Sequence, residues 1–283
     1  LVFEKVNVGG KKLDAFELVT AIYAADNFDL REDWLNSHDS VKPGRKAKII
    51  GFPHPRDVLK EISNTDFLQA CTLLHTMEIR KQKYEEGKRD KELPQVSCNR
   101  ETLLQLPLDA YKKYADKVEE GFVQAAAFLN EMKILWHKDV PYPPSIVALA
   151  SVFAYLGHAA QTTSAGDILR KWFWSITLGE LYGSMTDSRL ARDVPQLVEW
   201  IRGNTSNTRS NDDAIFQDNR LHTLRSRLSA AYKGIHALLM NYGCKDFITG
   251  RTVDIMTFFN DKIDIHHIFP QDWCKKKGIS PSV

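Results

Sequence analysis

The chain has 283 residues, 43% of them hydrophobic and 26% charged, enough apolar material to bury one large core or two smaller ones and too much for a disordered chain. Its formal net charge of +2 sets up no field that would by itself draw nucleic acid, so any DNA-facing surface has to come from local clustering. The longest apolar stretch, residues 146–156, is interrupted by Ser151 and falls well short of the roughly 20 residues that cross a bilayer, so no membrane partner is expected.

The first ten residues lack the basic start, apolar core and small cleavage site of a secretory leader, and Leu1 is not an initiator residue, so the chain reads as an excerpt of a longer protein. Residues 13–25 then predict a helix, with Asp14 as N-cap and Glu17 reaching back in a capping box. Just before it, Asn7-Val8-Gly9-Gly10 reads as a structural turn, with an anion-binding nest as the other use of converging N–H groups; no Walker lysine follows. Helical spacing returns over 56–62 and over 66–84, where Phe67, Cys71, Leu74 and Met77 share a stripe, and the charged run 80–92 is expected to be a solvated loop.

A long helix is predicted over 109–135, carrying Tyr114, Val118, Phe122, Ala125 and Leu129, and it must stop at Pro141-Tyr142-Pro143-Pro144. Those prolines start the next helix, whose face is Ile146, Leu149, Ala150, Phe153 and Leu156 and whose stop is Gly157. Residues 168–174, with Trp172, Phe173 and Trp174 on both sides of a helix, are expected at the centre of the core. Leu221, Leu224, Leu228, Ala231, Ile235 and Leu238 recur at intervals of three and four, as in a helix-packing seam.

Beyond residue 243 composition and period change. Residues 247–250 and 263–266 look like short strands, flanking 254–259, and a brief helix is expected over 272–277. The fold class that follows is mainly α: a multi-helix bundle over 1–243, with a small α+β appendage over 244–283. The four cysteines, Cys71, Cys98, Cys244 and Cys274, form no Cys-x-x-Cys pair, which argues against a zinc knuckle and a disulfide scaffold and for reduced thiols in a cytoplasmic protein.

The sharpest pattern lies inside the appendage. His266-His267-Ile268-Phe269-Pro270, reached through Lys262-Ile263-Asp264-Ile265, resembles the opening of an HNH nuclease motif, the ββα-metal site. That motif normally continues with an Asn and a helix-borne His or Asn, and the chain stops at Val283, so only the first half of such a site is expected here. Upstream, Phe3-Glu4-Lys5-Val6-Asn7-Val8-Gly9-Gly10 with Leu13 and Glu17-Leu18 resembles a segment of the GmrSD-type modification-dependent restriction endonucleases. Lys171-Trp172-Phe173-Trp174, Gly183-Ser184, Ser188-Arg189-Leu190-Ala191-Arg192-Asp193 and the His266-His267 run follow in the order that family uses.

The resemblance spans essentially the whole chain, though only its C-terminal motif is sharply specific. It implies the C-terminal, helical part of a GmrS-like region followed by the start of a GmrD-like HNH domain; the D-G-Q-Q-R sequence that marks the family's N-terminal half is absent. It also implies an endonuclease of an anti-phage or restriction system acting on DNA, often modified DNA, with NTP use regulating cleavage. Residue by residue, it implies His266 as a metal-side ligand and general-base work for His267.

The metal implied for the complete protein is Mg²⁺ or another hard divalent ion, and none is expected to stay bound to this chain with a single imidazole. Lys275, Lys276 and Lys277 sit where a DNA backbone would pass under that reading, with a solvated helix end as the other reading. Arg189 and Arg192 are candidate phosphate contacts too, although an Arg-Asp pair such as Arg192-Asp193 more often pins helix ends together. The alternative to the nuclease is a non-catalytic helical sensor or scaffold that binds DNA, nucleotide or a protein partner.

Overall fold

A helix that is apolar on every side has to be surrounded, and one such helix organises the bundle. A computed structural model describes residues 13–36, 42–51, 55–224, 226–253 and 271–279. In it Pro144–Leu156, here α7, is buried at every position from Ser145 to Ala154. Pro144 starts it because the first turn needs no N–H from that residue, and Gly157 ends it with φ +55°. Its two serines cost little, since Ser151 Oγ donates to the Val147 carbonyl at 2.7 Å and Ser145 Oγ to that of Tyr142 at 2.7 Å. The sequence expectation of one apolar face therefore understated the burial.

The helices before α7 are, in chain order, α1 (Ala15–Ala24), α2 (Leu30–Leu35), α3 (Arg45–Ile50), α4 (Asn64–Glu85), α5 (Arg100–Leu104) and α6 (Leu108–Glu131). After it come α8 (Thr163–Leu178), α9 (Thr186–Ile201), α10 (Arg209–Asp213), α11 (Ala230–Asn241) and α12 (Gln271–Lys276). The protein is mainly α-helical. α6, α4 and α9 pack around α7, and no helix among the described residues is long and apolar enough to cross a membrane. The described chain separates into two compact units, residues 1–237 and 238–283.

Local chemistry explains most of the boundaries. The Asp14–Glu17 capping box of α1 is present, with Glu17 N–H to Asp14 at 2.8 Å and the return bond at 3.0 Å, and Ser63–Asp66 repeats it at the start of α4. The α4 stripe Phe67, Cys71, Leu74 and Met77 is buried, as are Tyr114, Val118, Phe122, Ala125 and Leu129 on α6. A polar network ties α2, the start of α3 and the N-terminal half of α6. Arg45 donates to Asp33 at 2.6 Å, to Asp116 at 2.7 Å and to Glu119 at 3.1 Å, while the Tyr111 hydroxyl donates to Asp33 at 2.5 Å.

Several expectations are corrected. Residues 56–62 make only a 3₁₀ turn, Asp57–Leu59. The charged run does not unwind at Arg80: α4 continues to Glu85, with Lys81 and Glu85 paired one turn apart at 3.8 Å. α8 is one-sided rather than central, because Trp172 and Phe173 are buried while Trp174 is only half-buried and Lys171 is exposed.

The seam from Leu221 to Leu238 is α-helical only from Ala230, with Leu221 in a separate 3₁₀ turn, Asp218–Thr223. Ser226 Oγ accepts the Leu228 N–H and Ser229 Oγ that of Tyr232, so side chains take the backbone donors, and Leu221 and Leu228 stay exposed. Residues 247–250 are not a strand but the turn between the paired residues Lys245 and Thr252, an isolated antiparallel bridge. Asp246 accepts the N–H groups of Ile248 and Thr249 at 3.1 and 2.6 Å, which closes that turn. The expected elements over 254–259 and 263–266 lie outside the described residues.

At Gly121 of α6 the backbone of α7 comes close: a Cβ there would stand 2.3 Å from the Ala150 carbonyl oxygen. Gly121→Ala gains about 1 kcal/mol of helix propensity but must separate the two helices. Net destabilisation of about 1–3 kcal/mol is expected in urea unfolding, and a variant more stable than the parent would refute the close approach.

Candidate functional site

Inside the first unit, α9 carries the densest polar cluster. Asp193 is fully buried, which an unpaired carboxylate could not tolerate, and its oxygens are fully engaged. Oδ2 accepts from Trp172 Nε1 of α8 at 3.0 Å, from the Tyr182 hydroxyl at 2.9 Å and from Ser210 Oγ of α10 at 2.6 Å. Oδ1 accepts from Arg192 Nε at 3.0 Å. Burial first, and Asp193 second, pushes the Tyr182 hydroxyl well up, so it stays protonated and donates.

The candidate phosphate contact Arg192 is held in this cluster. Its remaining nitrogens reach Ser210 at 2.6 Å and Asp213 at 3.5 Å, which leaves the guanidinium half-buried among protein partners. Arg189, one turn earlier, points Nε to the Ser184 carbonyl at 3.4 Å. Trp172, with its N–H on Asp193, has no face for a base. Cys71 and Cys98 are buried, and that burial pushes both thiols up, which keeps them protonated and poor nucleophiles.

Beside this cluster runs a cleft between the C-terminal half of α4, residues 93–99 and the outer face of α9. It has two adjoining parts of about 560 and 320 Å³, which share Arg80, Val96, Pro195 and Glu199 as walls. The 93–99 segment is pinned to α4 by Arg80 Nη1 on the Pro94 carbonyl at 2.9 Å and by Ser97 N–H on Thr76 Oγ1 at 3.3 Å. Cys98 Sγ, 3.7 Å from the Asp187 carbonyl, ties the same segment to α9.

Both parts are lined mainly by apolar surface; the larger also has Ser97, Asn99, Ser188 and Gln196 on its walls, and the smaller has Met77, Tyr84, Leu93 and Tyr155. Its acids are already matched. Asp187 accepts from Gln69 at 2.9 Å, and Glu199 accepts from Arg202 at 3.1 Å and Asn204 at 2.7 Å. Sequence reasoning missed this cleft: its walls come from α4, residues 93–99, Tyr155 of α7 and residues 187–205, and although the resemblance singled out Ser188 to Asp193, nothing in the spacing shows that these stretches meet.

In the second unit, Cys244 to Val253 form a small hairpin, with Val253 N–H on the Cys244 carbonyl at 2.9 Å and Asp246 N–H on that of Arg251 at 2.8 Å. The N–H of Thr249, and then that of Ile248, hold the Asp246 carboxyl below the usual carboxylate range. His266 and His267 lie outside the described residues, as does Asn7 to Gly10. α12 follows, with Lys275 and Lys276 in its last turn and Lys277 just beyond; all three are exposed, and no carboxylate among the described residues pairs with them.

No family model matches the chain, and no solved structure matches it. It is similar to an uncharacterized protein of Methanocaldococcus jannaschii, with 25% identity over an alignment that covers 99% of this chain and 44% of that protein. The chain thus spans less than half the length of the curated relative it matches.

Because four donors converge on one buried carboxylate, Asp193→Ala strands all of them, and a loss of about 3–5 kcal/mol in chemical unfolding is expected. Ser210→Ala removes a single partner and is expected to cost only about 1 kcal/mol. If Asp193→Ala were no worse than Ser210→Ala, the cluster would not be what holds α8, α9 and α10 together.

Proposed function

We propose that this chain is part of a DNA endonuclease of a restriction or anti-phage defence system, in which the helical unit carries a C-terminal HNH nuclease segment that hydrolyses phosphodiesters. The observation that carries it is the order of parts in the second unit: a closed hairpin at 244–253, the His266-His267-Ile268-Phe269-Pro270 motif, and then α12. A ββα-metal site needs that order, with a strand end presenting the histidines and a helix closing over them. The α+β character of this segment, its DNA partner and a cytoplasmic setting belong to the same proposal.

In this proposal His267 takes the proton from the attacking water, and His266 offers an imidazole nitrogen to a divalent cation. Such a cation, when bound, stabilises the charge that develops on the phosphate oxygens. A single imidazole suits a hard ion poorly, so the donor set fits a metal only together with phosphate oxygens, water and a further ligand. Lys275, Lys276 and Lys277 replace counterions along the duplex beside the cut. The family resemblance adds NTP as a regulatory ligand and modified DNA as the preferred substrate.

The test uses the full-length protein and supercoiled plasmid, unmodified and modified, with Mg²⁺. Nicking is expected, and His267→Ala is expected to slow it by roughly 100-fold or more with unfolding temperature unchanged. A folded protein that nicks neither plasmid with any divalent metal would instead support the sensor or scaffold reading, in which the helices position a partner.

A further inference from the structure

Residues 93–99 line the cleft as a length of chain with open backbone groups. Leu93 and Asn99, at its two ends, are extended, with ψ of 129° and 167°, and no helix or strand forms between them. Side chains of α4 hold it at two points. Arg80 donates to the Pro94 carbonyl, and Thr76 Oγ1 both accepts the Ser97 N–H at 3.3 Å and donates to the Ser97 carbonyl at 3.2 Å. Between those points the N–H and C=O groups of Gln95 and Val96 have no hydrogen-bond partner among the described residues. Open backbone donors and acceptors beside apolar walls are a template for a second extended segment, whose main chain supplies hydrogen bonds while alternate side chains meet the walls.

The walls narrow the occupant. Ala191, Pro195 and Val198 of α9 offer apolar surface, with Met77 and Leu93 adding to it, and in the larger part Arg80 and Arg192 stand against Asp187 and Glu199, so the occupant needs no net charge. One segment of this chain meets these requirements and leaves the folded unit beside the cleft. Arg100, the residue after Asn99 of the wall, donates from Nη2 to the Leu13 carbonyl at 3.0 Å, which ties residue 13 to the 99 end. Residues 1–12 lie outside the described residues. Leu1-Val2-Phe3-Glu4-Lys5-Val6-Asn7-Val8 holds three valines and a phenylalanine, residue types that favour strands, and Glu4 cancels Lys5. At about 3.3 Å per residue these eight cover about 26 Å, against about 23 Å for 93–99, and residues 9–12 reach about 13 Å from Leu13, with Gly9-Gly10 free to take the bend.

We propose that residues 1–8 occupy this cleft as an added strand beside 93–99, with Val2, Val6 and Val8, which share one face in strand alternation, against the apolar wall of α9. The two segments run parallel, because going backward from residue 13 and from residue 99 leads from the same end of the cleft toward the 93 end. The partner that this surface fits is the chain's own segment before α1, which is thereby fixed to α4 and α9. The inference concerns the first unit alone and does not rest on the His266-His267 reading.

Hydrogen exchange of the 283-residue chain tests it. The amides of residues 95–98 are expected to exchange slowly, and Val6→Pro, which removes a donor and breaks the added strand, is expected to speed them roughly tenfold or more with α6 and α7 unchanged. Val8→Asp, which sets a charge against the apolar wall, is expected to act in the same direction, while Lys11→Ala, in the link, leaves exchange as it is. Nuclear Overhauser contacts of the Val6 or Val8 methyl groups with Val96 or Ala191 are expected within one molecule. Where Val6→Pro disturbs the helices, Val8→Asp and the methyl contacts decide. Fast exchange at 95–98 in the parent, exchange indifferent to both Val6→Pro and Val8→Asp, absence of the methyl contacts, or contacts found only between differently labelled copies would each overturn the proposal.

Discussion

Burial of α7 on every side is the constraint from which the helical unit follows. A helix without a polar face cannot lie at a surface, so α4, α6 and α9 have to enclose it, and each shows the stripe of large apolar side chains that this requires. Gly121 sets how near α6 comes, because the Ala150 carbonyl occupies the space where any side chain would begin. Dispersion forces fall off steeply with separation, so a close backbone approach adds attraction along both helices.

Apolar packing alone does not select one arrangement, and the Asp193 cluster supplies the directional part. Its carboxylate takes donors from α8, from the turn carrying Tyr182 and from α10, so it fixes how those elements meet α9. The cleft wall begins where this cluster ends, with Arg192 belonging to both. Pro195, within α9, has no N–H to give, which removes the usual donor to the Ala191 carbonyl, and both residues line the cleft. The helix spends some of its own regularity where the open surface is.

Much of the fold was legible because its signals are local. The Asp14–Glu17 box, the proline cluster before α7 and the stripes on α4 and α6 each need only a few residues to be read, and each is present in the structure. Where the reading failed, a competing local bond or a distant partner decided. Ser226 and Ser229 capture backbone donors that the Leu221–Leu238 spacing would have used in a helix, and Asp246 does the same at 247–250. The central position went to α7 rather than α8 because small residues, Ala148, Ala150 and Ala154, let neighbours approach on all sides, while the bulkier Trp172 and Phe173 fill only one. The Asp193 carboxylate meets Trp172 from 21 positions away and the cleft's Gln69–Asp187 bond spans 118 positions, and no spacing rule reveals which such residues meet.

The enclosure of α7 also has a consequence for how the chain is made. Synthesis proceeds from the N-terminus, so α4 and α6 can begin to cover α7 as it emerges, but α9 is still some tens of residues from being translated. At about 5–20 residues per second, one flank of a wholly greasy segment stays open to water for several seconds on the ribosome. That interval leaves residues 144–156 without their α9 cover until synthesis has passed residue 201.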